Sequence, residues 1–125
     1  MNTAHGISDD YYCDFILSGR VAVDVVFETD RVLAFEHVFR TWEHHLVVIP
    51  KRHVRNLVDV DDPSLVAELF QAVITVIRRK GFAASNFKVI TNGGSYQSNQ
   101  HLHIHVVSGQ PLDPNSSASK GELAV

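Results

Sequence analysis

A chain of 125 residues, 45% hydrophobic and 20% charged, is long enough to bury one core without help from disulfides. Its formal net charge of −3 excludes a general electrostatic grip on nucleic acid, which needs a basic face. The single cysteine, Cys13, excludes an intrachain disulfide and a multi-cysteine zinc knuckle; with no apolar run long enough to span a bilayer, the expectation is a cytoplasmic protein with neither nucleic-acid nor membrane partners.

Residues 1–8 are small and polar and are expected to be flexible. Asp9 and Asp10 then precede an apolar stretch from Tyr11 to Leu17, with Gly19 just beyond, which predicts a short helix. Val21 to Glu28 and Arg31 to Glu36 are rich in β-formers and are separated by Thr29-Asp30, which predicts a hairpin. A loop is expected over 39–43. His44 to Pro50 predicts a strand covered on both faces and ended by its proline, and a helical turn is expected around Val54 to Val58. Asp61-Asp62-Pro63 opens a helix that runs to Lys80, with basic residues in its last turn and Gly81 after it. Leu65, Leu69, Val73 and Val76 are expected to face the sheet. Val66, Phe70, Ile74 and Ile77 form an adjoining apolar face, which predicts a homodimer through the helix at 62–80. Asn86 to Asn92 predicts another strand, and the polar, glycine-bearing loop 93–100 delivers the chain into His101-Leu102-His103-Ile104-His105-Val106-Val107. The tail from Gln110 to Val125 is expected to be irregular, leaving one domain over 9–109. The fold class is α+β: a five-stranded antiparallel meander with two helices on one face.

The histidine run alternates with period two, the pattern of a half-buried strand. Leu102, Ile104 and Val106 are expected in the core, and the three imidazoles on the opposite face. Asn92, Ser95, Gln97 and Ser98, with the nearby glycines, supply neutral hydrogen-bond groups suited to a phosphate. A neutral imidazole beside a phosphate can attack phosphorus, and a second can donate to its oxygens. The alternative is a zinc site on the same histidines, with His45 or His53 adding a nitrogen. Along an extended strand, however, the first and third of them stand about 13 Å apart.

His101-Leu-His103-Ile-His105-Val-Val resembles the signature of the histidine-triad superfamily of nucleotide hydrolases and transferases. His45-Leu-Val-Val-Ile-Pro-Lys-Arg-His53 is similar to the family's second block. Phe27 to Phe35 is similar to its hairpin, and Asn92-Gly-Gly with Gln97-Ser98 to its pre-triad loop. The similarity is greatest to the small Hint branch. It implies a sheet continued across a homodimer and hydrolysis of nucleoside phosphoramidates or related nucleotidyl compounds. It also implies that no metal or other cofactor takes part. By position, His103 would be the nucleophile and His105 the phosphate contact, with His101 and His45 in support. Asn92, Gln97 and Ser98 would touch the phosphate or the leaving group, with Ser98 assisting catalysis. Phe35, Tyr12 and Ile16 would wall the base.

The chain also departs from that family. His37 stands where the family carries an aspartate for the ribose hydroxyls, and Trp42-Glu43-His44 replaces its usual entry to His45. The Cys-x-x-Cys pair of many bacterial members would fall on Tyr11 and Asp14, which implies that their structural zinc is missing. Two further readings follow from these departures: a nucleotide-binding regulatory module without catalysis, and a histidine-ligated metal protein.

Overall fold

Asp62 starts the long helix α1 (Pro63–Arg79) by accepting the Ser64 backbone N–H at 2.9 Å. Pro63 occupies a first-turn position where no intrahelical donor is needed, and Arg78 and Arg79 sit against the negative end of the dipole. Gly81 follows at φ 77°, a left-handed conformation that stops the helix and that a side chain would strain. The computed structural model describes residues 10–113. The strands are β1 (Val25–Glu28), β2 (Val32–Glu36), β3 (Trp42–Pro50), β4 (Lys88–Thr91) and β5 (Ile104–Pro111). All neighbours pair antiparallel in the order β1-β2-β3-β5-β4. A strict meander would place β4 beside β3. Instead the last strand inserts between them, and β4 becomes an edge.

The two faces of the sheet are covered differently. On one face Leu65, Leu69, Ala72, Val73, Val76 and Ile77 of α1 pack on Val32, Ala34, Leu46, Val48, Ile104 and Val106. On the other, Leu33, Phe35, Val47 and Ile49 pack against Tyr12 and Ile16. These two come from a π-helical segment, Tyr12–Leu17, which is the predicted first helix. The helices therefore lie on opposite faces, not on one, because β2 and β3 carry apolar residues at consecutive positions and both sides need cover.

Three further expectations change. Ile77 belongs to the sheet-facing core, so the outward apolar residues of α1 are Phe70 and Ile74, 38% and 40% exposed, beside half-buried Val66. Trp42 and Glu43 lie in β3 and not in a loop, because Trp42 pairs with Pro111. That pairing also carries β5 past residue 109, the expected end of the domain. Finally, β1 begins only at Val25; Val21 and Val23 approach it as irregular chain packed on the second core. The expected flexible start and most of the expected irregular tail lie outside the described residues.

Candidate active site

The antiparallel register builds the site. His105 on β5 stands opposite Val47, and His45 on β3 opposite Val107, so both project from the face that carries Phe35. His101 and His103 precede β5 in irregular chain and are not part of the strand. Two bonds hold this run: the Leu102 N–H donates to the Val54 carbonyl at 2.7 Å, and the Thr91 hydroxyl donates to the His103 carbonyl at 2.9 Å. Leu102, Ile104 and Val106 join the helix-side core, as the alternation predicts. His45, His101, His103 and His105 are all buried.

Their partners assign each tautomer. The Thr41 backbone N–H donates to His45 Nδ1 at 3.0 Å, so the hydrogen of a neutral His45 is on Nε2. That N–H donates to His105 Nδ1 at 2.9 Å, which in turn puts the His105 hydrogen on its own Nε2. His103 is set the other way round. Its Nδ1–H donates to the His101 carbonyl at 2.6 Å, leaving a lone pair on Nε2. The His103 and His105 rings are 4.9 Å apart and nearly perpendicular, and neither Nε2 has a hydrogen-bond partner. An electron-pair donor and an N–H donor are therefore presented side by side, which is the pair that attack at phosphorus requires.

Burial keeps these rings neutral. It pushes the His45 pKa down to about 3, with His37 and His103 adding to the effect. Burial first, then His103, His45 and His37, lowers His105 well below the ordinary value, and burial also lowers His103. An unfolded histidine takes up a proton near pH 6.5, whereas folded His45 does not until about 3. Between those values the unfolded state binds more protons, so stability falls as the pH drops and is fully present above about 6.5. A thermal midpoint that is flat above pH 7 and declines steadily from pH 6 to pH 4 is the expected result. A midpoint that rises on acidification would contradict the neutral assignment.

The other expected site residues are distributed unevenly. Phe35, Tyr12 and Ile16 form one buried apolar cluster, and the Tyr12 ring lies 5.2 Å from that of His103. Asn92 is half-buried, and its amide nitrogen has no partner. Gln97 is buried, but its amide nitrogen donates to the Arg55 and Asn99 carbonyls at 2.7 and 3.1 Å, so this group braces the loop. Ser98 is exposed, as is Ser95. Trp42 is buried under the Lys88 ammonium, at the Val107 end of the same face. His37 stacks on His45 with ring centroids 4.2 Å apart.

A second cluster escaped the sequence reading. Asp10, Cys13, His53 and His101 each bring one ligand atom within 4.8 Å of the others. The pair that converges with the two histidines is thus Asp10-x-x-Cys13, not Tyr11 and Asp14. The spacing was the available signal, hidden because a carboxylate replaces one thiolate. His101 Nε2–H donates to the Pro50 carbonyl at 2.8 Å, so its Nδ1 carries the lone pair. That lone pair stands 2.9 Å from the Asp10 carboxylate and 3.5 Å from the Cys13 sulfur, and Asp10 also touches His53 Nδ1. Two lone pairs at that distance need a proton or a cation between them. Burial pushes the Asp10 carboxyl up, but with a proton held on His101 Nδ1 the hydrogen bonds from His101 and Cys13 outweigh it and hold the pKa well below the usual range. Burial and Asp10 push the Cys13 thiol up to about 12. An oxygen, a sulfur and two imidazole nitrogens fit a tetrahedral zinc-type ion.

The neighbouring group His37, His45 and His105 also converges within 4.8 Å. It does not fit a metal. Backbone N–H groups occupy Nδ1 of His37 and His45, so the remaining nitrogen of each carries a hydrogen and offers no lone pair.

Comparison with known proteins agrees with this geometry. Residues 19–112 match the HIT domain. An uncharacterized HIT-like protein of Azospirillum brasilense is 37% identical over 107 residues, covering 79% of this chain and 85% of its own. A histidine triad protein from Clostridium difficile superposes with a TM-score of 0.72 at 32% identity, covering 88% of this chain and 98% of the other. A HIT family hydrolase from Legionella pneumophila gives a TM-score of 0.72 at 27% identity over 83% and 96% of the two chains. With residues 19–112 matched by the domain and the fold shared, this chain belongs to the HIT (histidine-triad) domain family.

Proposed function

We propose that this chain hydrolyses nucleoside phosphoramidates or related nucleotidyl compounds through a covalent nucleotidyl-histidine on His103. The observation that carries the reading is the opposed tautomers of His103 and His105. His103 Nε2 attacks phosphorus, forming an N–P bond as the bond to the leaving nitrogen or oxygen breaks. The proton stays on His103 Nδ1 and donates to the His101 carbonyl, which supports the positive charge the ring acquires. His105 Nε2–H donates to a phosphoryl oxygen, and His45 keeps that hydrogen in place. Asn92 and Ser98 are the candidates for contacts to the leaving group, which takes up a proton from solvent as it departs. Water then attacks phosphorus, the bond from phosphorus to His103 Nε2 breaks, and the nucleoside monophosphate leaves with the water's proton released to solvent and the His103 lone pair restored. Phe35, Tyr12 and Ile16 supply the apolar surface for a base.

Asp10, Cys13, His53 and His101 would hold a zinc ion whose contribution is structural, since His103 is not among the converging ligands. Phe70 and Ile74, exposed on α1, support a homodimer through that helix, which the mass in solution checks.

The test is incubation with an adenosine 5′-phosphoramidate, followed by mass spectrometry of the acid-free, quenched chain. Turnover with one adenylyl group trapped on His103 is the expected result. Tight nucleotide binding with no turnover and no adduct would replace it with a binding-module function.

A further inference from the structure

The triad has a second flank, on β4. Directly paired strand residues share a face, so Phe35, Val47, His105 and Ile90 form one row across β2, β3, β5 and β4. The next row carries Lys88, which pairs with Val107, two residues beyond His105. Buried Val107 and half-buried Ile90 thus make an apolar floor of roughly 7 Å between His105 and Lys88. At the end of that floor lies a pocket of about 150 Å³, whose wall includes Trp42, Phe87, Lys88 and Val107 and no acid. The Lys88 ammonium stands 5.0 Å from the centre of the Trp42 ring, and among the described residues no carboxylate pairs with it. The Trp42 Nε1–H is buried and has no acceptor. Glu43, the acid beside Trp42, turns a carboxylate oxygen to the Gln110 backbone N–H at 2.6 Å. A cation and an N–H donor, neither matched by an anion, suit the pocket to anionic oxygens.

We propose that this pocket is a leaving-group subsite that favours leaving groups ending in anionic oxygens, those of a carboxylate or a phosphate. The proposal rests on the proposed nucleotidyl hydrolysis and deepens it. The apolar wall of Phe35, Tyr12 and Ile16 and the Lys88 pocket lie on opposite sides of the triad, because the sheet runs β2-β3-β5-β4. With a base on that wall and phosphorus at His103 and His105, the substituent that leaves is directed to the β4 side. A chain of about six atoms spans the floor of Ile90 and Val107 and brings its end to the Lys88 ammonium. The contact is made alike in the ground state and the transition state, so it lowers KM and leaves kcat in place.

Steady-state kinetics of the full chain with three adenosine 5′-phosphoramidates tests this: those formed with 6-aminohexanoate, with 6-aminohexyl phosphate and with hexylamine. The three amines are matched in length and differ in their far end. At least one anionic leaving group should lower KM about fivefold or more relative to hexylamine, with kcat within about twofold, and which of the two does so identifies the source. Lys88→Gln should bring the three KM values together. Lys88→Arg, which keeps the charge, should preserve their separation and guards against a merely structural effect. Equal KM values in the parent chain, or a separation that survives Lys88→Gln, overturns the proposal while leaving the hydrolysis in place. Turnover of none of the three overturns both.

Discussion

His103→Ala should reduce phosphoramidate turnover about ten-thousandfold or more while leaving nucleotide binding within a few fold. The loss is this large because the proposed mechanism takes its bond-forming atom from this residue, and no neighbour can replace it: His105 and His45 carry hydrogen on the nitrogens that would have to attack. Removing His105 should cost less, about a hundredfold to a thousandfold, since it contributes one hydrogen bond to the developing charge. The order matters more than either figure. Both rings are buried and neither Nε2 has a partner, so truncation removes an unsatisfied polar atom from the interior as well as leaving a cavity. Circular dichroism of the two variants should therefore show folded chains. A His103→Ala chain that keeps turnover within tenfold of the parent would move the nucleophile elsewhere.

Removing a bound zinc should lower the thermal midpoint by about 10 °C or more, and Asp10→Ala should reproduce the shift. A ligand present at a thousand times its dissociation constant stabilises the native state by about 4 kcal/mol. In a domain of this size each kcal/mol corresponds to roughly 3–5 °C. Binding also has to displace the proton from Cys13, whose thiol stands near 12 without metal, so uptake should release protons and weaken as the pH falls. Elemental analysis should find about one zinc per chain, lost in Asp10→Ala. Turnover assayed well below the metal-free midpoint should survive chelation, because the His103 tautomer depends on the His101 carbonyl and not on the His101 ring. Absence of zinc, with a midpoint indifferent to chelator, would leave Asp10 and His101 joined by a proton alone.

These two experiments address different sides of one short segment, residues 101–105, and the sides were not equally visible in the sequence. Period-two alternation correctly divides Leu102, Ile104 and Val106 from the three histidines, because the division depends only on backbone geometry and water avoidance. The cap and stop of α1 at Asp62, Pro63 and Gly81 were equally legible, being local. The order of the last two strands was not, since pairing of β5 with β3 joins segments some sixty residues apart. The two-sided cover of the sheet was only half legible: the consecutive apolar residues of β2 and β3 announce it, but not which segment provides it.

The chemistry divides in the same way. By itself the sequence determined which residues are present, their alternation and the family they resemble. It cannot assign a hydrogen to one nitrogen of an imidazole, because that choice belongs to whatever backbone group comes to lie beside the ring. Thr41 and Phe39 orient His45 and His37 through main-chain N–H groups, which carry no residue identity. Likewise the carbonyl of His101, not its side chain, leaves the lone pair of His103 on Nε2. The convergence of Asp10 and Cys13 on His101 spans about ninety residues of chain, and its Asp-x-x-Cys spacing acquires meaning only when His53 and His101 close the other two corners. Tertiary structure decided those points because hydrogen bonds and metal ligation are properties of atoms a few ångströms apart in space, whatever their separation along the chain.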